Sequence, residues 1–199
     1  MSERHESPRA APRTVTAPPG LLGLPPRRLL MLLGALLLGG AAQALSVVQA
    51  AFVQPWTRWN AGAAVLLLRA FGLQAATHGT LLALDDATLD VRAGCNGLVA
   101  LLLLGSAILA FPAPWRRRAA GIAVAAALVF ALNALRLGTL VLIARYAPAR
   151  LEFCHLYVWQ PLMALSAFAI FLGWGNRLAR AKAPRQAPPA GMADGVASG

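Results

Sequence analysis

The sequence predicts an all-α membrane protein: about four transmembrane helices, an interfacial or re-entrant helix, and a small β-hairpin on the outer face. Three observations carry that expectation. Of 199 residues, 58% are apolar and only 13% are charged, whereas roughly a quarter are charged in an ordinary soluble domain. The apolar residues gather in four long runs between two polar tails. The basic residues, 17 Arg and one Lys, cluster at the ends of those runs, as the positive-inside rule requires of a chain threaded through a bilayer. So apolar a composition also excludes a disordered chain.

Residues 1–26 are rich in Pro, Ala and Arg without a hydrophobic period, and are expected to form a disordered cytoplasmic tail. The run from Leu29 to about Val53 carries no formal charge and is long enough for a first span, which needs roughly 20 apolar residues. Arg27-Arg28, this run and Ala42-Gln43-Ala44 also resemble a cleavable signal peptide. The apolar run continues past Ala44, so an uncleaved anchor is expected. Ala61–Leu73 is 13 residues long and contains Arg69, too short to cross. Counting it as a crossing would also put Arg27-Arg28 opposite Arg116-Arg117-Arg118. Trp56–Leu73 is therefore read as the interfacial or re-entrant helix. Thr80–Leu84, the acidic turn Asp85-Asp86, and Ala87–Val91 read as the hairpin.

The second span is expected from just after Cys95 to Phe111, ahead of Pro112 and Pro114. The third runs from Ala119 to Ala147, interrupted by Arg136 and Arg145, and the fourth from about Leu156 to Trp174. Trp56, Trp59, Trp115, Tyr146, Tyr157, Trp159 and Trp174 fall near run ends, where an interfacial aromatic belt belongs. Residues 27–175 form the membrane domain, and 176–199 a second disordered basic tail. With four spans, Arg27-Arg28, Arg116–Arg118 and the C-terminal group share the cytoplasmic side. The net charge of +11 is then mostly a topology signal, and no nucleic-acid partner is expected.

Three residues stand out chemically. Arg136 lies inside the third span, where a guanidinium is costly unless it faces a polar cavity or a partner. Asn133, one turn earlier on the same face, is expected to hold it in position. Cys95 sits in Ala93-Gly94-Cys95-Asn96-Gly97, ahead of an apolar helix. A thiol in the first turn of a helix meets the positive end of the dipole, which favours the thiolate. Gly94 and Gly97 would let another backbone approach closely. His155 opens the last span, and imidazole exchanges protons near neutral pH. Each residue alone also fits a structural role: a snorkelling Arg, a small buried thiol, a polar helix start. Under the four-span topology Cys95 and His155 share the outer surface and Arg136 reaches toward it. Thiolate, imidazole and a fixed cation form a minimal set for acyl transfer: nucleophile, proton carrier, oxyanion partner. No Gly-x-Ser-x-Gly elbow, His-Glu-x-x-His zinc motif or phosphate loop is present, and no cofactor is expected.

Four motifs in order, Ala-Gly-Cys95-Asn-Gly, Ala110-Phe-Pro-Ala-Pro-Trp115-Arg, Asn133-Ala-Leu-Arg136 and His155-Leu-Tyr-Val-Trp-Gln160, resemble the exosortase/archaeosortase family, most of all its exosortase H subgroup. The resemblance covers roughly residues 27–175. It implies a cysteine transpeptidase of the bacterial inner membrane whose catalytic residues map onto Cys95, Arg136 and His155, with the active site facing the periplasm. It further implies membrane-anchored protein substrates with a C-terminal sorting signal: a short motif similar to Ile-Pro-Thr-Leu-x-x-Trp-Gly, a transmembrane helix and a basic cluster. Cys154 departs from the family pattern. It is read as a packing residue, since a Cys95–Cys154 disulfide would block the nucleophile. A reading from another class is a non-catalytic membrane protein holding a soft metal such as Cu(I) through Cys95, Cys154 and His155. Its only further soft ligand nearby would be Met163. A solute transporter with Arg136 on its pathway is disfavoured by so few crossings.

Overall fold

The computed structural model describes residues 26–91 and 95–182. Helix α1, Pro26–Ala42, is followed by α2, Ser46–Ala70, which contains a π turn at Gln49–Val53. Strands β1 (Ala75–His78), β2 (Leu81–Leu84) and β3 (Ala87–Asp90) come next, then α3 (Leu98–Ala110) and α4 (Trp115–Tyr146). Last is α5, Pro148–Ala181. It opens with a 3₁₀ turn and one α turn, passes through a π turn at Cys154–Trp159, and continues as α-helix Gln160–Lys182.

The chain is mostly helical, and many large apolar side chains of α1, α4 and α5 point away from the protein; α1 buries none of its residues. Exposed apolar surface on this scale is what lipid, not water, solvates. By length and hydropathy α4 and α5 can each cross a membrane, and the bent pair α1–α2 makes up to three. At 13 residues α3 is about 20 Å long at 1.5 Å per residue, shorter than the expected second span.

The first apolar run does not continue as one helix. It breaks at Gln43–Leu45, where α1 and α2 bend apart by 81°. The last turn tightens to i→i−3 bonds from Ala44 and Leu45, at 3.0 and 3.1 Å. The Gln49 side-chain amide then donates to the Gln43 carbonyl at 2.6 Å, satisfying an acceptor that the helix end leaves without a partner. In consequence the helix expected at Trp56–Leu73 begins ten residues earlier, at Ser46. At the other terminus helix persists to Lys182, past the tail boundary drawn at 175.

The expected hairpin is present and gains a third strand, giving an antiparallel sheet in the order β1-β2-β3. Leu84 pairs with Ala87 across the two-residue turn Asp85-Asp86. Asp85 adopts a φ of +52°, which an Asp tolerates at a turn. Arg145 at the end of α4 clamps this turn, its Nε 2.8 Å from Asp86 Oδ1 and 3.4 Å from Asp85 Oδ2. One face of the sheet (Ala75, Leu82, Leu84) packs on Ala61, Ala64, Val65 and Leu68 of α2 and on Leu137 and Val141 of α4. A second core, Leu104, Ile108, Ala125, Val129 and Met163, fills the middle of the helical bundle. At the far end Gly121 leaves room for the Trp174 ring, whose Nε1 donates to the Arg117 carbonyl at 3.4 Å. Cys95 packs against the first of these cores.

Candidate active site

Asn96 anchors the segment that carries Cys95. Its backbone carbonyl accepts from Trp56 Nε1 (2.8 Å), its Nδ2 donates to Thr57 Oγ1 (3.2 Å), and its Oδ1 accepts from the Leu98 N–H (3.2 Å). The last bond satisfies an orphan donor at the start of α3. Asn96 is thus fully buried with its polar groups paired, as burial demands. Gly97 follows with φ +75°, a left-handed conformation that costs other residues about 1–2 kcal/mol. A Cβ there would also stand 3.2 Å from Asn133 Cγ and 3.3 Å from Val129 Cγ1. The close approach expected at Gly97 is therefore to the protein's own α4. Gly94 lies outside the described residues. Cys95 does not occupy the first turn of α3, which starts at Leu98; it stands two residues ahead of the Gly97 cap.

Across the bundle, Cys95 Sγ lies 3.1 Å from His155 Nε2, a hydrogen-bond contact bridging 60 positions of sequence. Both side chains are half-buried. Arg136 is buried to 2% exposure. Its guanidinium Nη2 donates to Gln160 Oε1 at 3.4 Å, while its buried Nε has no hydrogen-bond partner. Asn133 does not hold the guanidinium. Its Nδ2 instead donates to Asn60 Oδ1 at 3.2 Å and its Oδ1 is unpartnered. Asn60 in turn donates to the Trp56 carbonyl at 3.0 Å, so Asn133 ties α4 to α2.

Sequence reasoning missed Gln160 as a site residue, for a geometric reason. In an α-helix, residues five apart point about 140° away from each other at 3.6 residues per turn, so His155 and Gln160 would face different ways. The π turn Cys154–Trp159 bonds residues five apart and stacks them on one face. His155 thereby meets Cys95 while Gln160 meets Arg136. Thr57 and Asn60, both buried, were missed as well. The available signal was their polarity on a helix face otherwise made of Val53, Ala61, Ala64, Val65 and Leu68.

Both cysteines are free thiols. Among the described residues no group of three or more His, Cys, Asp or Glu could hold a metal ion. Met163 packs in the apolar core with Leu104, Ile108 and Val129. The soft-metal reading thus lacks its remaining ligand.

Fold and site together define a helical membrane protein with a cysteine–histidine pair and a buried arginine. Residues 20–174 match the family described as transmembrane exosortase (Exosortase_EpsH), and the chain belongs to that family. The resemblance drawn from its four motifs is borne out. Family membership makes it a membrane protein of sorting-signal processing, within a family that generally comprises cysteine transpeptidases and proteases. No curated protein and no solved structure matches the chain.

Proposed function

We propose that this protein is a cysteine transpeptidase or protease of the bacterial inner membrane that cleaves C-terminal sorting signals of exported proteins at the periplasmic face. The observation that carries the reading is the 3.1 Å contact between Cys95 Sγ and His155 Nε2 beside the buried Arg136. Cys95 attacks the substrate carbonyl as its proton passes to His155 Nε2. The peptide C–N bond then breaks, and the same proton goes to the leaving amine. The product is a thioester on Cys95, which an amine or water resolves. Arg136 supplies the charge opposite the developing oxyanion. Its unpartnered Nε fits this role, because a buried donor without a partner is the kind of group a transition state can satisfy.

The topology of this reading has four crossings, α1, α3, α4 and α5, with α2 and the sheet at the periplasmic surface. It keeps Arg27-Arg28, Arg116–Arg118 and Arg177 on one side. The short α3 is accommodated by local bilayer thinning. Membrane-anchored substrates enter with their motif near the outer surface and their helix in the bilayer.

The test is cleavage of a reporter carrying a C-terminal sorting signal by wild-type chain and Cys95→Ala, both quantified in the membrane fraction. The variant should insert normally and cleave nothing; retained cleavage would contradict the reading. Arg136→Lys should lower turnover roughly 10²–10³-fold, the usual effect of removing an oxyanion partner, because a point charge does not reproduce the planar fork.

A further inference from the structure

The second π turn, Gln49–Val53, does for Gln49 and Gln54 what the first does for His155 and Gln160. It stacks two polar side chains that an α-helix would turn about 140° apart. Both line a cleft of about 220 Å³ between the start of α2 and the open end of the β2–β3 hairpin. Gln49, Gln54 and Thr57 form one wall; Thr80, Asp90 and Val91 form the other. Gln49 and Gln54 also border a wider groove of about 570 Å³ running past Ser46 and Arg58, so the two hollows communicate along α2.

Each wall of the cleft is tied to the segment that carries Cys95. Thr57 accepts the hydrogen bond of Asn96, the neighbour of Cys95. Val91 precedes Cys95 by four residues of chain, at most about 14 Å at ~3.6 Å per residue. The polar inventory is specific. Gln49 spends its Nε2 on the Gln43 carbonyl, which leaves Oε1 as acceptor. Gln54 uses its Oε1 to accept from Arg58 Nη2 at 3.5 Å, which leaves Nε2 as donor. One acceptor and one donor at successive levels complement the N–H and C=O of an extended peptide.

We propose that this cleft holds the main chain of the substrate's recognition segment, with Gln49 Oε1 accepting a peptide N–H and Gln54 Nε2 donating to a peptide C=O. The assignment rests on the transpeptidase reading above and adds where the substrate lies. It explains why a bend and a π turn occur in a run whose composition would allow a straight span. The bend commits the Gln49 amide N–H, and the π turn lines up the two glutamines.

The experiment uses full-length chain in proteoliposomes in a Cys154→Ser background, so that Cys95 alone reports on thiol reactivity. The probe is a reporter ending in Ile-Pro-Thr-Leu-x-x-Trp-Gly, an apolar helix and Arg residues. Gln49→Ala/Gln54→Ala should raise KM about tenfold, with kcat and the rate of Cys95 alkylation by iodoacetamide within twofold of the parent. A KM within twofold of the parent overturns the cleft assignment while Cys95-dependent cleavage stands. A KM rise accompanied by lost alkylation overturns it too, by assigning the glutamines to support of the nucleophile. Cleavage by Cys95→Ala at the parental rate overturns the catalytic reading itself, a separately visible result. Finally, N-methylation of one motif amide should raise KM in the parent and add nothing in Gln49→Ala; equal sensitivity of the two chains at every amide rules out main-chain reading.

Discussion

The two π turns use the same geometry for different ends. At Cys154–Trp159 the stacked pair reaches inward: His155 to the thiol of Cys95 at 3.1 Å and Gln160 to Arg136 at 3.4 Å. At Gln49–Val53 the stacked pair borders an open cleft, with Gln54 exposed and Gln49 half-buried. π turns are rare and concentrate at functional sites. Under the function and the cleft assignment proposed above, the first turn serves chemistry and the second binding. Variants in the first should act on kcat, and variants in the second on KM.

The sharpest way to break that distinction is His155→Ala. Loss of a proton carrier typically costs 10²–10⁴-fold, so kcat on a sorting-signal reporter should fall by about that factor with KM little changed. A pure KM effect would put His155 on the binding side and dissolve the contrast. Gln160→Ala comes next. A hydrogen bond to a charged group contributes about 1.5–3 kcal/mol, and at 3.4 Å the low end applies. The expected outcome is roughly a tenfold loss in kcat, again with KM held. In the proposed mechanism Gln160 would position Arg136, and this split distinguishes such a role from general destabilisation.

Gly97→Ala probes the segment between the two turns. The left-handed φ costs about 1–2 kcal/mol, and the new Cβ would press on Asn133 and Val129. The purified variant should unfold several degrees lower in a thermal scan; an unchanged midpoint would mean that the segment relaxes freely. The smallest effect is expected from Cys154→Ser. Cys154 is half-buried and free, so cleavage should stay within about twofold of wild type. A large loss would bring Cys154 into the chemistry.

The membrane class was legible because hydrocarbon imposes long apolar runs and charge asymmetry on the sequence itself. The hairpin was legible because Asp85-Asp86 separates two apolar segments of matching length. β1 was not, since Ala75-Ala-Thr-His78 carries neither bulk nor alternation. Nor was the break at Gln43–Leu45, which interrupts an apolar run without a Pro or a charge. It is stabilised by Gln49, a residue that looks incidental until the Gln43 carbonyl is seen to need it. Among the site residues, Cys95, Arg136 and His155 could be grouped through topology alone. Gln160 and Asn60 could not. The first depends on a local departure from 3.6 residues per turn, and the second on a contact between Asn60 and Asn133 across 73 positions. Periodicity carries information about regular helices; the irregular turns are what position this site.

The proposed mechanism passes through a covalent intermediate on Cys95 formed with the help of His155. Intact-protein mass spectrometry after acid quench of the full-length chain, with excess sorting-signal reporter present, tests it directly. The expected result is an adduct on Cys95 equal in mass to the reporter's N-terminal fragment, removed by hydroxylamine as a thioester is and missing in Cys95→Ala. Cleavage proceeding with no such adduct, or with an adduct that persists in Cys95→Ala, would contradict it.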